Sequence, residues 1–226
     1  MIQMPNFSDL INSYRSLFKK FGYSPKSLGW KNGKQFLRFH QLTSLWELEN
    51  STWLDVGCGF GDFIKFLRAS KIDNFNYMGI DIVSDFVNLA KSHYPNSNCN
   101  FINEPFLESN FIKTYDYVIA SGTFNSKLHG VNGYKYIEKN MCKMFNLSKK
   151  AIAIDFLTDR VDYKHEHNFN SSPEKILSLA CKLSKRVVLR NDYFPFEFAI
   201  IIFKDDAVIS KLTMYSEIHK KLDYLL

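Results

Sequence analysis

A short apolar strand that runs into a turn of three glycines limits the fold of this chain more than any other feature. The stretch reads Trp53-Leu-Asp-Val-Gly-Cys-Gly-Phe-Gly-Asp62, with glycines at Gly57, Gly59 and Gly61. Glycines at these positions let a strand turn sharply into a helix, and they let the backbone approach a ligand without obstruction by side chains. The sequence therefore predicts an α/β domain with a ligand-binding turn after this strand.

Strand-like and helix-like patterns alternate along the rest of the chain. Seven strands are predicted, at 53–56, 77–80, 100–102, 117–120, 151–156, 186–190 and 196–203. Helices are predicted from Asp62, from a Ser84 cap, over 134–145, and from a capping box that pairs Ser171 with Glu174. Because the joint between the last two strands is too short for a crossover helix, these strands should run antiparallel. The pattern predicts a Rossmann-like, doubly wound, mostly parallel seven-stranded sheet with an antiparallel last strand.

Helical patterns flank this alternating region. Apolar residues at helical spacing predict a helix over Ser8–Phe21, and a second helical segment runs from Gln35 to about Leu48. A final helix is expected over 210–222. We interpret residues 1–50 as an N-terminal helical cap and residues 51–226 as the domain on which it packs.

Composition excludes several classes of protein. The chain has 226 residues, of which 46% are hydrophobic, and it contains 21 Phe, 12 Tyr and 3 Trp, so it is not a disordered chain. No apolar run approaches the roughly 18 residues of a membrane helix. Near the N-terminus the charges follow the apolar residues, which is not the order of a secretory signal. The four cysteines are widely spaced without a CxxC pair, so we expect reduced thiols in a cytoplasmic protein and no zinc site.

The charge balance allows an anionic partner without requiring one. Lys and Arg number 29 against 23 Asp and Glu, which gives a net charge of +6. Such a balance suits RNA. However, the basic residues are dispersed along the chain and form no run longer than a pair, which favours an ordinary solvated surface. A nucleic-acid partner stays an alternative that is not favoured.

Two carboxylates indicate which class of ligand the glycine turn binds. Asp55 precedes the first glycine, and Asp81 ends the second predicted strand. A carboxylate close to a bound phosphate would be repulsive by about 1 kcal/mol even when well screened, which disfavours a dinucleotide. The same carboxylate suits a ligand with an ammonium and a sulfonium, namely S-adenosylmethionine. Asp81 is placed to accept hydrogen bonds from ribose hydroxyls, although a helix-capping role is the alternative.

The segment from Trp53 to Phe124 resembles the core of the class I S-adenosylmethionine-dependent methyltransferases. Leu54–Gly61 matches the signature glycine loop of that family, Gly79–Ile82 matches its ribose-binding strand end, and Tyr115–Gly122 matches its fourth strand. The resemblance implies S-adenosyl-L-methionine as the methyl donor and S-adenosyl-L-homocysteine as the product. It implies donor-binding roles for the following positions: Asp55, Gly57, Gly59, Gly61, Asp81, Ile82 and Ser121.

The sequence departs from the family pattern at two places. After the third strand, where the family commonly has an Asp near the adenine, this chain reads Asn103-Glu-Pro-Phe106. We therefore assign the position near the adenine to Glu104, with Phe106 as an apolar neighbour of the base. The fourth strand ends in Ser121-Gly-Thr-Phe-Asn125 and lacks the Asn/Asp-Pro-Pro-Tyr/Phe signature of enzymes that methylate nucleobase or glutamine amino groups. DNA and protein glutamine are therefore disfavoured as substrates.

Methyl transfer from a sulfonium is an in-line displacement, so alignment of the acceptor matters and a general base assists it. His129, in a glycine-flanked loop, is the preferred candidate base, with a plain surface histidine as the alternative. Asn125 is a candidate for orienting the acceptor, or else a turn residue. Arg38 is a candidate for pairing with the carboxylate of the donor, or else an exposed helix charge.

Other residue groups carry weaker hypotheses. Tyr14, Trp30 and Tyr163 are aromatic candidates for an acceptor pocket, although a helical Tyr more often belongs to a core. His165 and His167, with Asp155 and Asp159 upstream, have the composition of a metal cluster, but the spacing matches no zinc motif, and a solvated polar loop is favoured. We assign no metal.

These observations predict a methyltransferase that acts on an oxygen or nitrogen atom of a small-molecule metabolite. A methyltransferase for RNA or protein is the alternative, favoured by the positive charge. A protein that binds the donor without catalysis is a third hypothesis. The sequence does not determine the oligomeric state.

Overall fold

The computed structural model describes residues 5–30 and 34–222. In chain order the helices and strands of the domain are α1 (Ser8–Phe21), α2 (Gln35–Thr43), β1 (Ser51–Val56), α3 (Asp62–Ala69), β2 (Phe75–Asp81), α4 (Ser84–His93), β3 (Cys99–Asn103), β4 (Tyr115–Ala120), α5 (Gly133–Leu147), β5 (Ser148–Leu157), α6 (Pro173–Cys181), β6 (Val187–Arg190), β7 (Glu197–Phe203), β8 (Val208–Ile209), β9 (Met214–Tyr215) and α7 (Ser216–Leu222). A 3-10 turn, Pro25–Leu28, lies between α1 and α2.

Seven strands form one sheet in the order β3-β2-β1-β4-β5-β7-β6. Strands β1 to β5 pair in parallel, and β7 runs antiparallel to both of its neighbours. This confirms the predicted doubly wound sheet and its antiparallel late strands. The strand order reverses between β1 and β4, and in such sheets the ligand lies beyond the carboxyl ends of the strands at that reversal.

Alternating side chains along the strands build two core layers, one on each face of the sheet. Trp53 belongs to the layer that includes apolar residues of α2, α3 and α4. The adjacent Leu54 belongs to the layer that includes residues of α5 and α6. Because both faces of the sheet are covered by helices, the central strands are buried over most of their length, as in β1, where every residue but Thr52 is buried.

The first helix lies across the carboxyl edge of the sheet. Its Tyr14 and Phe18 pack against a third apolar cluster formed by Phe60, Val83 and Phe86. Arg15 of α1 forms an ion pair with Asp85 at the start of α4, with a distance of 2.9 Å. The interpretation of residues 1–50 as an N-terminal helical cap packed on the core stays a prediction.

Several predicted element boundaries differ from the structure. The second helix ends at Thr43, not near Leu48. Val83, not Ser84, is the N-cap of α4, and the Ser84 hydroxyl accepts a hydrogen bond from Arg15 instead.

Two more differences lie in the C-terminal half. Ser172, not Ser171, is the N-cap of α6, because its hydroxyl accepts from the Lys175 N–H. The tail forms a small β8–β9 hairpin before α7, so its helix is shorter than predicted. In the described segments we find no helix with the length and apolar character needed to span a bilayer.

Candidate active site

A cavity of about 450 Å³ opens at the carboxyl ends of the strands. Its floor comes from the turns that follow β1, β2, β3 and β4, and its other walls come from α1, α2, α5 and the 126–131 loop. The structure brings most of the sequence-predicted site residues to this cavity: Asp55, Gly57, Gly59, Asp81, Ile82, Glu104, Phe106, Ser121 and His129.

The glycine turn fits closely between its neighbours. Gly57 has φ +74°, and a Cβ at this position would overlap the Thr123 side chain. Its N–H donates to the Ile80 carbonyl at 2.8 Å. The Thr123 hydroxyl in turn donates to the Val56 carbonyl at 2.7 Å. The turn is therefore held against both neighbouring strands, and its backbone is fixed at the cavity wall.

Asp81 is fixed by backbone donors. Its Oδ2 accepts the Gly59 N–H at 2.9 Å, and its Oδ1 accepts the Val83 N–H at 2.8 Å. Burial raises the pKa of the Asp81 carboxyl, and these backbone hydrogen bonds partly offset the effect. Each carboxylate oxygen keeps a further lone pair, so the group can still accept hydrogen bonds from a ligand.

Asp55 lies deeper, beside the glycine turn. Its side chain is 3% exposed, and Oδ2 accepts a hydrogen bond from the Tyr77 hydroxyl at 2.7 Å. Burial raises the pKa of the Asp55 carboxyl to about 7, and the Tyr77 hydrogen bond opposes this shift. A neighbouring cation would favour the charged form of the carboxyl. The cavity therefore has an electrostatic preference for a positively charged ligand at this point.

The cover of the cavity comes from the N-terminal segment. Phe7 contacts Tyr136 of α5, with ring centroids 6.4 Å apart, and Tyr14 contacts Phe86 of α4 at 5.8 Å. Since α4 and α5 lie on opposite faces of the sheet, α1 bridges the two layers above the cavity. Burial and the charge of Asp81 raise the pKa of the Tyr14 hydroxyl, and the nearby Ser126 side chain opposes this shift.

The loop after β4 is anchored by a buried acid. Asp155, at the end of β5, accepts the Ser121 hydroxyl at 2.6 Å and the Gly122 N–H at 2.7 Å. Burial raises the pKa of the Asp155 carboxyl to about 6. These two hydrogen bonds fix the position of the Ser121 and Gly122 backbone beside the glycine turn.

Comparison with known proteins identifies this arrangement. Residues 54–132 match a family model described as a methyltransferase domain, and this segment contains the glycine turn, Asp81, Glu104 and Ser121. Residues 54–132 therefore carry a methyltransferase domain. No curated protein sequence matches it.

Solved structures share the fold of this methyltransferase at low sequence identity. Magnesium protoporphyrin IX methyltransferase (ChlM) from Synechocystis PCC 6803, with bound SAH, has a TM-score of 0.60 at 12% identity, over 87% of this chain and 94% of that one. The DhpI–SAH complex has a TM-score of 0.60 at 11% identity, over 84% and 93% of the two chains. Mycolic acid cyclopropane synthase CmaA1, complexed with SAH and CTAB, has a TM-score of 0.61 at 15% identity, over 83% and 78%.

Three predicted site residues of the methyltransferase do not border the cavity. Arg38 is 5% exposed and binds both carboxylate oxygens of Glu197, so the structure contradicts its assignment to the donor's carboxylate. The Asn125 side-chain carbonyl accepts the Leu157 N–H at 2.8 Å, which corrects its assignment to the acceptor and makes it a structural residue. Gly61 precedes α3, where a Cβ would press on Tyr94 and Phe101. It therefore serves packing, not ligand contact.

The remaining candidates divide between the cavity and the surface. Tyr14 and Trp30 line the cavity. Tyr163 is 73% exposed and, like His165 and His167, lies outside the cavity lining, so it forms no part of an acceptor pocket. His129 lies on the exposed loop at the cavity, and its catalytic role stays a prediction. Among residues 5–30 and 34–222, no group of three or more potential ligands is arranged to hold a metal ion.

Sequence reasoning missed several side chains of the cavity lining. These are Phe7, Leu10, Gln35, Phe39, Thr123, Tyr136 and Phe169. For the helical residues the periodicity gives only one apolar face, and it does not distinguish a face that packs on a core from one that covers a cavity. Sequence reasoning also missed that Asp155 holds the loop after β4. An acid near the end of an apolar strand could have indicated such a role, because the carboxyl ends of the strands border the ligand site.

Proposed function

We propose that this methyltransferase transfers a methyl group from S-adenosylmethionine to an oxygen or nitrogen atom of a small molecule. The observation that carries the proposal is the covered cavity, because α1 bridges its top and its volume is about 450 Å³. Pockets for one small ligand span roughly 300–1,000 Å³. A donor in this cavity leaves room beside it only for a small acceptor or for one projecting group.

The donor-binding roles follow from the charges on the cavity floor. Asp55 pairs with the ammonium group of the donor, and Asp81 accepts hydrogen bonds from the ribose hydroxyls. Glu104 accepts from the amino group of the adenine, and Phe106 packs against the ring. The backbone at Gly57 and Gly59 approaches the donor closely because it carries no side chain.

The reaction requires alignment of the acceptor with the bond that breaks. The lone pair of the acceptor attacks the methyl carbon as the carbon–sulfur bond breaks, and the bonding electrons go to sulfur. Holding the two partners in line contributes up to about 7–11 kcal/mol to catalysis. A proton lost by the acceptor passes to His129, which lines the cavity from the exposed 126–131 loop.

The fold neighbours are consistent with a small acceptor. ChlM is a methyltransferase of magnesium protoporphyrin IX, and the pair of structures overlaps over most of both chains. The positive net charge of +6 is the observation that favours RNA or protein as the alternative substrate. Binding to RNA would be steeply weakened by salt, because each phosphate contact releases counterions. Salt-sensitive retention on immobilised RNA would support that alternative.

The test is titration calorimetry with S-adenosylhomocysteine, with NADH as the comparison ligand. We expect the unaltered protein to bind S-adenosylhomocysteine and not NADH. Asp81→Ala should weaken this binding by about tenfold or more, since it removes charge-assisted hydrogen bonds worth roughly 1.5–3 kcal/mol. Asp116→Ala is the control, because Asp116 binds the Thr52 N–H and hydroxyl at the start of β4, far from the carboxyl edge. Tight binding of NADH without binding of S-adenosylhomocysteine would contradict the proposal.

The role of His129 is tested separately. His129→Ala should leave the affinity for S-adenosylhomocysteine within about twofold and lower turnover of an identified acceptor by about 10²-fold or more. His165→Ala, in an exposed loop outside the cavity lining, is the matched control and should change neither quantity. Unchanged turnover in His129→Ala would remove this residue as the base.

A further inference from the structure

Trp30 lines the cavity beside the loop that follows β4. It follows the 3-10 turn Pro25–Leu28, and its backbone N–H donates a hydrogen bond to the Pro25 carbonyl at 2.9 Å. The indole lines the cavity and packs directly on Gly122, where a Cβ would overlap the six-membered ring. Gly122 belongs to the loop after β4, beside the glycine turn. The indole therefore forms a wall of the cavity on the side of the loop after β4.

A buried ion pair determines the orientation of this indole. The Arg38 guanidinium carbon lies 3.9 Å from the centre of the Trp30 ring and 5.3 Å from that of Phe194. Arg38 Nε donates to Glu197 Oε2 at 2.6 Å, and a second guanidinium nitrogen donates to Oε1. Only 6% of the Arg38 side chain and 12% of the Glu197 side chain are exposed. A planar guanidinium that is held by both carboxylate oxygens and stacked on an indole fixes the plane of that ring.

The two sides of the Trp30 contact are both anchored to the sheet. On one side, Arg38 is bound to Glu197 of β7. On the other, the Gly122 N–H is bound to Asp155 of β5, and β5 and β7 are paired neighbours. Because Arg38 covers one face of the indole, only the opposite face and the edges are left to border the cavity. A rigid aromatic surface of this kind prefers a flat partner.

We infer that Trp30 is a specificity-determining residue that selects an acceptor with a planar aromatic group, and that Arg38 is its positioning residue. The inference rests on the proposed function, because it places the acceptor beside bound donor. It explains why a charged side chain that does not contact the cavity is buried behind its wall. It also assigns to Arg38 a role that differs from donor binding.

The experiment compares two molecules with the same carbon skeleton, planar 2-naphthol and its saturated analogue decahydro-2-naphthol. Each is titrated into protein saturated with S-adenosylhomocysteine, and binding is measured by calorimetry. We expect 2-naphthol to bind more tightly by about three- to tenfold, the range for one aromatic contact. Trp30→Leu should abolish this preference and keep the affinity for S-adenosylhomocysteine within about twofold. Tyr163→Leu, at an exposed aromatic residue, is the control and should retain the preference.

Arg38→Lys separates positioning from simple stabilisation. Lysine keeps a charge for Glu197 but has no planar group to stack on the indole. We expect this variant to retain S-adenosylhomocysteine binding and to lose most of the preference for 2-naphthol. Full preference in Arg38→Lys would overturn the positioning role. Suppose that the unaltered protein, saturated with S-adenosylhomocysteine, binds both molecules equally or binds neither. This result would overturn the inference but not the proposed function. Failure of the protein to bind S-adenosylhomocysteine would overturn both.

Discussion

Buried carboxyl groups at strand ends are the dominant chemical feature at the scale of single residues. Asp81 is the last residue of β2, and Asp55 and Asp155 lie within the last three residues of β1 and β5. Burial raises the pKa of each of the three carboxyl groups. Each has a fixed hydrogen-bond donor, so none is free to turn away from the site. A cationic donor stabilises the charged form of the acids that it contacts, whereas a phosphate would add repulsion.

We expect the affinity for S-adenosylhomocysteine to depend on the protonation of Asp55. Burial raises the pKa of this carboxyl to about 7 in the free protein, and pairing with the ammonium of the ligand requires the charged form. The affinity should therefore fall as the pH falls below 7, by up to about tenfold per unit. Calorimetry between pH 5.5 and 8 measures this profile. Asp55→Asn should bind more weakly at pH 8 and show a flatter profile, and an unchanged profile in this variant would exclude Asp55 as the titrating group.

The glycine turn gives a second prediction for a single residue. Gly57→Ala places a methyl group against Thr123 at a φ of +74° and should abolish measurable donor binding and lower the thermal unfolding midpoint. Gly22→Ala is the matched control, because Gly22 also has positive φ, +60°, but nothing lies within 4 Å of an added Cβ. It should cost about 1–3 kcal/mol of backbone strain and leave donor affinity unchanged. Equal effects of the two substitutions on donor affinity would show that the close approach at Gly57 is unimportant.

At the scale of secondary-structure elements, α1 is attached to the domain by few buried contacts. None of its residues is fully buried. Its attachment depends on Tyr14 and Phe18, on the exposed Arg15–Asp85 ion pair, and on Phe7 just before it. Exposed ion pairs contribute about 0–1 kcal/mol. Elements with few buried contacts open locally at low free-energy cost, and this helix covers the ligand cavity.

We therefore expect S-adenosylhomocysteine to slow hydrogen exchange in α1 more than in other helices. Bound ligand adds contacts to Tyr14 and Leu10, which line the cavity, so local opening of the helix becomes costlier. Hydrogen–deuterium exchange with mass spectrometry over residues 8–21 measures this change. The peptide that contains α6 is the internal control, because α6 packs on β6 and β7 and does not line the cavity. Equal protection of both helices would indicate global stabilisation and not closure of α1.

At the scale of the whole molecule, the raised carboxyl pKa values set the pH dependence of stability. A carboxyl whose pKa is higher in the folded protein than in the unfolded chain contributes stability that is lost as the pH rises toward its folded pKa. The pKa is raised to about 7 for Asp55 and to about 6 for Asp155. The pKa values of Asp85 and Asp116 are lowered, so these two groups change the stability of the fold only at more acidic pH.

The ligand-free protein should therefore be more stable at pH 5.5 than at pH 7.5. Each group changes the unfolding free energy by up to about 1.4 kcal/mol per pH unit between its two pKa values. In a protein of this size, each kcal/mol corresponds to about 2–4 °C in unfolding midpoint. Calorimetric unfolding scans at the two pH values measure the difference. Asp55→Asn should reduce it, and a midpoint that rises with pH in the ligand-free protein would contradict the sign.

Much of the fold was predictable because its signals are local. The strands, the helix Ser8–Phe21 and the turn after β1 are encoded by the spacing of apolar residues and glycines within short segments, and the structure confirms them. The order of glycines and acids along the chain also predicted which residues meet at the cavity floor, because the carboxyl ends of parallel strands share one edge. Element ends were less accurate, since competing caps such as Ser171 and Ser172 differ only in tertiary contacts.

The sequence by itself determined the sheet, the turn and the acids that follow the strands. Only the tertiary structure decided which polar side chains form hydrogen bonds within the protein and are therefore unable to bind a ligand. Arg38 binds Glu197, 159 positions away, and Asn125 binds the Leu157 backbone. Trp30 became a wall of the cavity through its contacts with Gly122 and Arg38. The physical reason is that a buried polar group must be paired, and its nearest partner depends on strand register and helix packing, which join residues far apart in the chain.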